Sequence, residues 1–327
     1  MTNAEYSAFY KSAAETFHSI SFSTLKALHG VYVSAGEDVA KRVREATLSG
    51  KSEITIESRT IIEAELQRGA ATIASALEEQ TPDLVQKGYE AIYQIDEDYL
   101  MSALKEAGVT RIAVGDLQAY GSAVNHRLVT SMVNRVWQDG YTFSERVWGP
   151  ANAYQDAIKN LIAGGLAQGR DPAKIASDVT AYLRDGLDVI PGRWGDLEPG
   201  TREYLRRIPK NVDYRAVTLV RSELYASLQE AGREEGFVNP AAIGMYNWVL
   251  EPGSRPADDP CPEIADNSPY TLEALPGYPH PRCRCHVYPI LRDRREFLSD
   301  LKTWANGEPV DYLDEWEARM KIAPLTV

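Results

Sequence analysis

The chain runs to 327 residues, 44% of them hydrophobic and 25% charged, with a formal net charge of −12. That is an ordinary soluble composition, long enough for two domains with a core each. The acid excess excludes a surface given over wholly to DNA phosphates, no apolar run reaches membrane-spanning length, and three cysteines do not make a disulfide framework. The opening Met1-Thr-Asn-Ala-Glu-Tyr has neither a basic nor an apolar leader region, so folding in a cytoplasm is expected.

Apolar spacing predicts helix over residues 4–46. It runs through Tyr6, Phe9, Tyr10, Ala13, Phe17 and Ile20, then Leu25, Leu28, Val31 and Tyr32, with a break expected at Gly36-Glu-Asp. Ser49-Gly-Lys-Ser reads as a turn. Ile61, Ala64, Leu66 and Ile73 return to the helical period, and Pro82 after Thr81 suits the first position of a new helix over Asp83 to Tyr99. Gly108 ends another short helix, and Arg111-Ile-Ala-Val-Gly fits strand or loop. Helices follow over Gly121 to Trp137, from an N-cap at Ser144, over Ala151 to Ala167 before Gly169, and from Asp171-Pro onward. A Gly- and Pro-rich connection, Gly186 to Pro199, leads to a helix near Thr201 to Ile208 and a long periodic one over Asp213 to Glu234. Met245 to Leu250 and Val287 to Leu291 are the strand candidates, and Arg295 to Met320 is helical around Gly307-Glu-Pro.

The densest chemistry lies in Tyr278-Pro-His-Pro-Arg-Cys-Arg-Cys-His-Val-Tyr-Pro289, which holds two of the three cysteines. Its prolines stiffen the backbone. On an extended segment Cys283 and Cys285 share one face, and Arg284 and His286 the other. Cys261 lies upstream, across a loop of about twenty residues that can fold back. Cys261, His280, Cys283 and Cys285 suit a closed, structural tetrahedral zinc site, with Asp258 or His286 able to replace one ligand. Reduced, partly buried thiols and a disulfide from Cys261 to one of the pair are the other readings.

Trp248, Cys261, His280-Pro-Arg-Cys-Arg-Cys and Pro289 together resemble the C-terminal signature of the phage Mu F-like minor head proteins of tailed bacteriophages. Val220-Arg-Ser-Glu-Leu-Tyr-Ala-Ser is similar to that family's Arg-Thr-Glu helix, with Ser222 in place of Thr. Gly169-Arg-Asp-Pro-Ala-Lys-Ile-Ala resembles the helix–turn–helix before it. The resemblance covers roughly Ser144 to Leu291. Where many relatives carry a further cysteine, this chain has Asp258.

The expected fold class is mainly α: a helical N-terminal region, residues 1–140, then an α+β minor-head domain, residues 141–327, with a small sheet and a Cys/His-braced loop. The resemblance implies a structural virion protein of the head, near the portal vertex, acting in head morphogenesis and DNA packaging or delivery. Its partners would be the portal protein and/or the major capsid protein, with no membrane. Arg221 and Glu223 carry the family motif and read as structural ion-pairing groups that orient their helix. Tyr6, Phe9, Tyr10 and Phe17, and at the other end Trp304, Tyr312 and Trp316, are the partner-binding candidates. Arg282, Arg284, Arg292, Arg294 and Arg295 form a local basic patch that is either a solvated strand end or a contact to packaged DNA.

No enzymatic motif is expected to operate. Glu63-Ala-Glu65 has the spacing of an ADP-ribosyltransferase glutamate pair but lies in a helical pattern without the Ser-Thr-Ser strand that should accompany it. The alternative function is a zinc-stapled His-Asn-His-type nuclease built on His280. After Pro289 it would find only Asp293, Glu296 and Asp300, then Asn306, and no histidine.

Overall fold

The computed structural model describes residues 3–48, 56–137, 139–194, 197, 199–251, 259–281 and 283–322. Helix makes up 74% of the chain, beside one three-stranded antiparallel sheet, so the mainly α class with an α+β C-terminal region holds. No described helix is long and apolar enough to cross a membrane.

The helices are α1 (Asn3–Leu48), α2 (Ile56–Ala107), α3 (Val114–Asn134), α4 (Phe143–Arg146), α5 (Trp148–Ala167), α6 (Pro172–Asp185), α7 (Val189–Trp194), α8 (Pro199–Arg206), α9 (Tyr214–Val238), α10 (Cys261–Asp266), α11 (Arg294–Ala305) and α12 (Asp311–Ile322). The strands are β1 (Ala242–Val249), β2 (Tyr270–Thr271) and β3 (His286–Leu291), in the order β2-β1-β3.

Several boundaries follow the local chemistry. Asp171 caps α6 by accepting from the Ala173 N–H at 2.8 Å, with Pro172 at the first position. Gly108 and Gly169 adopt positive φ (76° and 65°) just past α2 and α5. Others differ from expectation for physical reasons. α1 is unbroken at Gly36 because the missing Cβ makes room for the Leu183 side chain of α6. Pro82 lies inside α2 rather than opening a helix; Leu77, Leu84 and Val85 are buried around it, and that packing offsets a proline cost of about 3 kcal/mol. Thr142, not Ser144, caps α4, in a reciprocal capping box with Glu145. Arg111 and Ile112 lie in the bend before α3. The turn expected after Ser49 lies outside the described residues.

The chain forms two compact units, each drawn from interleaved segments. One comprises residues 1–21, 81–135 and 221–327, the other residues 22–80 and 136–220. One crossover, Arg135 to Val136, falls near the expected boundary at 140, but each unit takes chain from both sides of it.

The second unit is all helical. Tyr32 meets Tyr154 edge-on (centroids 6.0 Å apart) within a core that includes Val39, Ile73, Ile158, Leu161 and Val179. Asp178, almost fully buried, accepts from Arg170 and from the Trp194 indole, each at 2.7 Å, and so ties α6 to α7. Glu65 is nearly buried between Arg42 and Arg68, at 3.1 and 2.6 Å, so Glu63-Ala-Glu65 belongs to a helix and its ion pairs.

In the first unit α9 lies close against the sheet. A Cβ at Gly232 would collide with the Val287 carbonyl of β3, and one at Gly236 with the Tyr246 ring of β1. β1 pairs with β3 through Tyr246–Pro289, Asn247–Tyr288, Trp248–Val287 and Val249–His286. A bulge interrupts the register between Ala242 and Tyr246, where Gly244 takes φ of 75°.

This packing corrects most of the partner-binding candidates. Tyr6 and Tyr10 are each only 1% exposed, Trp304 1% and Trp316 0%. Tyr6 packs at a tilt against Tyr10 and edge-on against Tyr99, Trp304 packs at a tilt against Trp316, and the Trp316 indole donates to the Val238 carbonyl at 2.8 Å. Tyr312 is half-buried, donating to Asp300 at 2.9 Å beneath the Arg292 guanidinium. Phe9 alone of the group is exposed, at 49%, and the Phe17 side chain lies outside the described part. The apolar stripes are core, because each helix is flanked on that face by other elements of its own unit.

Candidate metal centre

The cysteine loop is held by α9. The Gln229 side-chain amide donates to the Cys285 carbonyl at 3.0 Å, and Arg233 donates to the carbonyls of Leu275, at 3.1 Å, and Pro276. The Tyr278 hydroxyl donates to the Cys283 carbonyl at 3.1 Å and also engages Ser222 of α9. Glu223 is fully buried on this stretch of α9, its charge felt at Tyr278, while Arg221 is half-buried and acts on Tyr225 together with Arg284. Both motif residues thus belong to the packing of α9 against the loop.

Cys261 opens α10, and its N–H donates to Asp259 Oδ1 at 2.9 Å. The Cys283 N–H donates to the His280 carbonyl at 3.2 Å, closing the turn that brings the pair back. Cys261, Cys283 and Cys285 are buried with Tyr246, Trp248, Leu275 and Val287 in one cluster. The three sulfurs lie within 4.8 Å of one another, as do the donor atoms of Asp259, Cys261 and His280. Cys261 Sγ is 3.5 Å from Cys283 Sγ and 3.3 Å from His280 Nε2, and His280 Nε2 is 3.3 Å from Asp259 Oδ1. Tetrahedral bonds of about 2.3 Å to sulfur and about 2.0 Å to nitrogen would set such ligands roughly 3.5 to 3.8 Å apart. Two triads that share Cys261, the three thiols on one side and Asp259, Cys261 and His280 on the other, are therefore each close enough to hold a metal ion.

The histidine is prepared for that role. Its Nδ1 lies 3.0 Å from the Pro281 carbonyl, which only a protonated Nδ1 can use, so in the neutral ring Nε2 turns its lone pair toward Cys261 Sγ. The thiols themselves resist ionisation without a cation. Burial, helped by the contact to Asp259, pushes Cys261 up to about 12. The hydrogen bond with Cys285, then burial, raises Cys283 further.

The remaining candidates fall elsewhere. Cys283 and Cys285 precede β3 rather than lying on it, yet both face the buried cluster as expected. Arg284 is exposed. His286 is fully buried away from the thiols, with Nδ1 3.4 Å from Glu251, and is not part of the donor cluster. Asp258 and Arg282 lie outside the described residues. Of the basic patch, Arg292 covers Tyr312 while Arg294 binds Glu106 and Ser102, leaving Arg284 and Arg295 exposed. Around His280 both ring nitrogens are engaged, Asp293 caps α11 and Asp300 holds Tyr312. Asp259, Gln229, Arg233 and Tyr278 were missed in the sequence: their roles depend on backbone carbonyls that only the folded loop presents.

No family model matches the chain, and no curated protein or solved structure matches it. The likeness to Mu F-like minor head proteins rests on the motif residues alone.

Proposed function

We propose that the chain is a structural minor head protein of a tailed phage or prophage, carrying a zinc-stapled loop and seated in the head near the portal vertex. The supporting observation is the convergence of the signature's own residues. Cys261, Cys283 and Cys285 bring three sulfurs together, and His280 reaches the same cluster through Cys261, so a small movement of the His280 ring would complete a tetrahedral set. The ion would bind Cys261, Cys283 and Cys285 as thiolates with His280 Nε2, and Asp259, on the same Nε2 side of the ring, would lie beside it. Its work is to staple a loop with few apolar side chains onto α9. Such a module serves assembly: it offers a rigid surface to the portal or major capsid protein during head morphogenesis and DNA packaging or delivery. Of the aromatic candidates Phe9 is the exposed one for a protein contact, and Arg284 and Arg295, both exposed, are the candidates for packaged DNA.

The test is the particle. Heads purified from the phage or induced prophage that encodes the chain should contain it at a fixed, low copy number by quantitative mass spectrometry. Crosslinking should join it to the portal or capsid protein. Its absence from complete heads would reject the proposal. Cleavage of duplex DNA by the purified chain with Mg²⁺ or Mn²⁺, lost in His280→Ala, would establish the nuclease instead.

A further inference from the structure

A second polar cluster lies inside the first unit, independent of the thiols and of the virion reading. Asp96 of α2 and Glu235 of α9 are 0% and 3% exposed. Asp96 Oδ1 accepts from the Tyr6 hydroxyl of α1 at 2.9 Å and from the Asn239 amide at 2.5 Å. Asn239 is itself oriented, its Oδ1 accepting from the Ala241 N–H at 3.0 Å. The second oxygens, Asp96 Oδ2 and Glu235 Oε2, are enclosed and have no donor among the described residues. The two side chains nevertheless hydrogen-bond to each other. Two carboxyl groups make that bond only when one carries the proton. Asp96 already accepts twice, so it is the ionised partner and Glu235 is the acid.

Among the described residues no cation acts on the pair. Tyr6 and Tyr10 face the pair from α1, Tyr93 from α2 and Glu234 from α9, with Tyr246 of β1 behind Tyr10. The Arg294 guanidinium of α11, over Tyr99, is bonded to Glu106 and Ser102. Glu97 of α2 accepts from Gln118.

We propose that Asp96 and Glu235 form a proton-operated latch on the start of α1: one shared proton holds residues 3–21 in place, and its loss releases them. The geometry makes Tyr6 the catch, because its hydroxyl spans from α1 to Asp96, with Tyr10 packed beside it. The direction with pH follows from linkage. Burial, then the Asp96 charge, raises Glu235 well above its ordinary value of 4.5. Opening exposes Glu235 to water, where it ionises near that ordinary value. Opening therefore becomes easier as pH climbs above it, by up to about tenfold per pH unit, until Glu235 also ionises in the closed state.

Hydrogen exchange of the full chain, corrected for intrinsic rates and followed from about pH 5 to about pH 9, tests this window. Protection of residues 3–21 should fall with pH while that of α6 in the other unit stays level. Glu235→Gln keeps a donor to Asp96 without the titration, and should make residues 3–21 level too. Equal slopes in wild type and Glu235→Gln, or no slope in wild type, would overturn the latch. Infrared spectroscopy of the wild type decides the matter even if the variant misfolds. A protonated carboxyl band should persist at neutral pH and vanish as residues 3–21 lose protection; a wild type without that band at neutral pH refutes the proposal.

Discussion

The side-chain amide of Gln229 donates to the backbone carbonyl of Cys285 at 3.0 Å, inside the contact between α9 and the cysteine loop. One helix thus holds the thiol-bearing segment by its backbone and leaves its side chains to converge on Cys261. Gln229→Ala would strand a buried carbonyl, at a cost of about 1–3 kcal/mol. It would also loosen the orientation of a ligand, which lowers metal affinity by about 10- to 100-fold. Denaturant titration and chelator competition should show both losses together.

The close approach of α9 to the sheet depends on Gly232 and Gly236. Gly232→Ala forces a methyl against the backbone carbonyl of Val287, which cannot swing aside. It should destabilise the first unit by about 1–3 kcal/mol. Gly236→Ala meets the hydroxyl end of the Tyr246 ring and should cost less, since that side chain can shift. Chemical denaturation followed by tryptophan fluorescence orders the two.

Trp316→Ala should behave as a core mutation. The side chain is 0% exposed and its indole bonds to the Val238 carbonyl. A loss of about 3–5 kcal/mol is expected, with attachment to any partner lost only as folding is lost. Phe9→Ala, at an exposed position, should leave the melting temperature unchanged. Thermal melts beside a pull-down separate a folding effect from a contact effect.

Metal binding should be pH-dependent in a definite sense. Cys261 is held near 12 and Cys283 is raised further, so both enter the site as neutral thiols. A cation takes them as thiolates and expels their protons, so affinity rises with pH and falls on acidification. Calorimetry in buffers of different ionisation enthalpy should register release of about three protons per zinc, one from each cysteine. Release of none would mean that the thiols are not ligands.

Much of this arrangement was legible in the sequence. The helical period located nearly every long helix, and the proline-braced His280-Pro-Arg-Cys-Arg-Cys announced that Cys261, Cys283 and Cys285 would meet. What escaped detection has common causes. An apolar stripe such as Tyr6 and Tyr10 looks alike whether a partner or the chain's own helices cover it. Glycine at 36 looks like a break until Leu183 is seen packed on it, and Pro82 looks like a helix start until its buried neighbours are counted. Short elements such as α10 and β2 carry too few residues for a period. Nothing in the local sequence marks Asp96 and Glu235 as a buried pair, because their partners come from distant segments.

The thiol cluster is close enough to hold a metal ion, and zinc is the ion proposed for it. Elemental analysis of full-length protein, purified reduced and without a histidine tag, tests it most directly. The account predicts about one zinc per chain, retained on dialysis and lost in Cys283→Ser together with thermal stability. A folded wild-type chain that contains no zinc, takes up none from solution, and melts at the same temperature with and without chelator would contradict it.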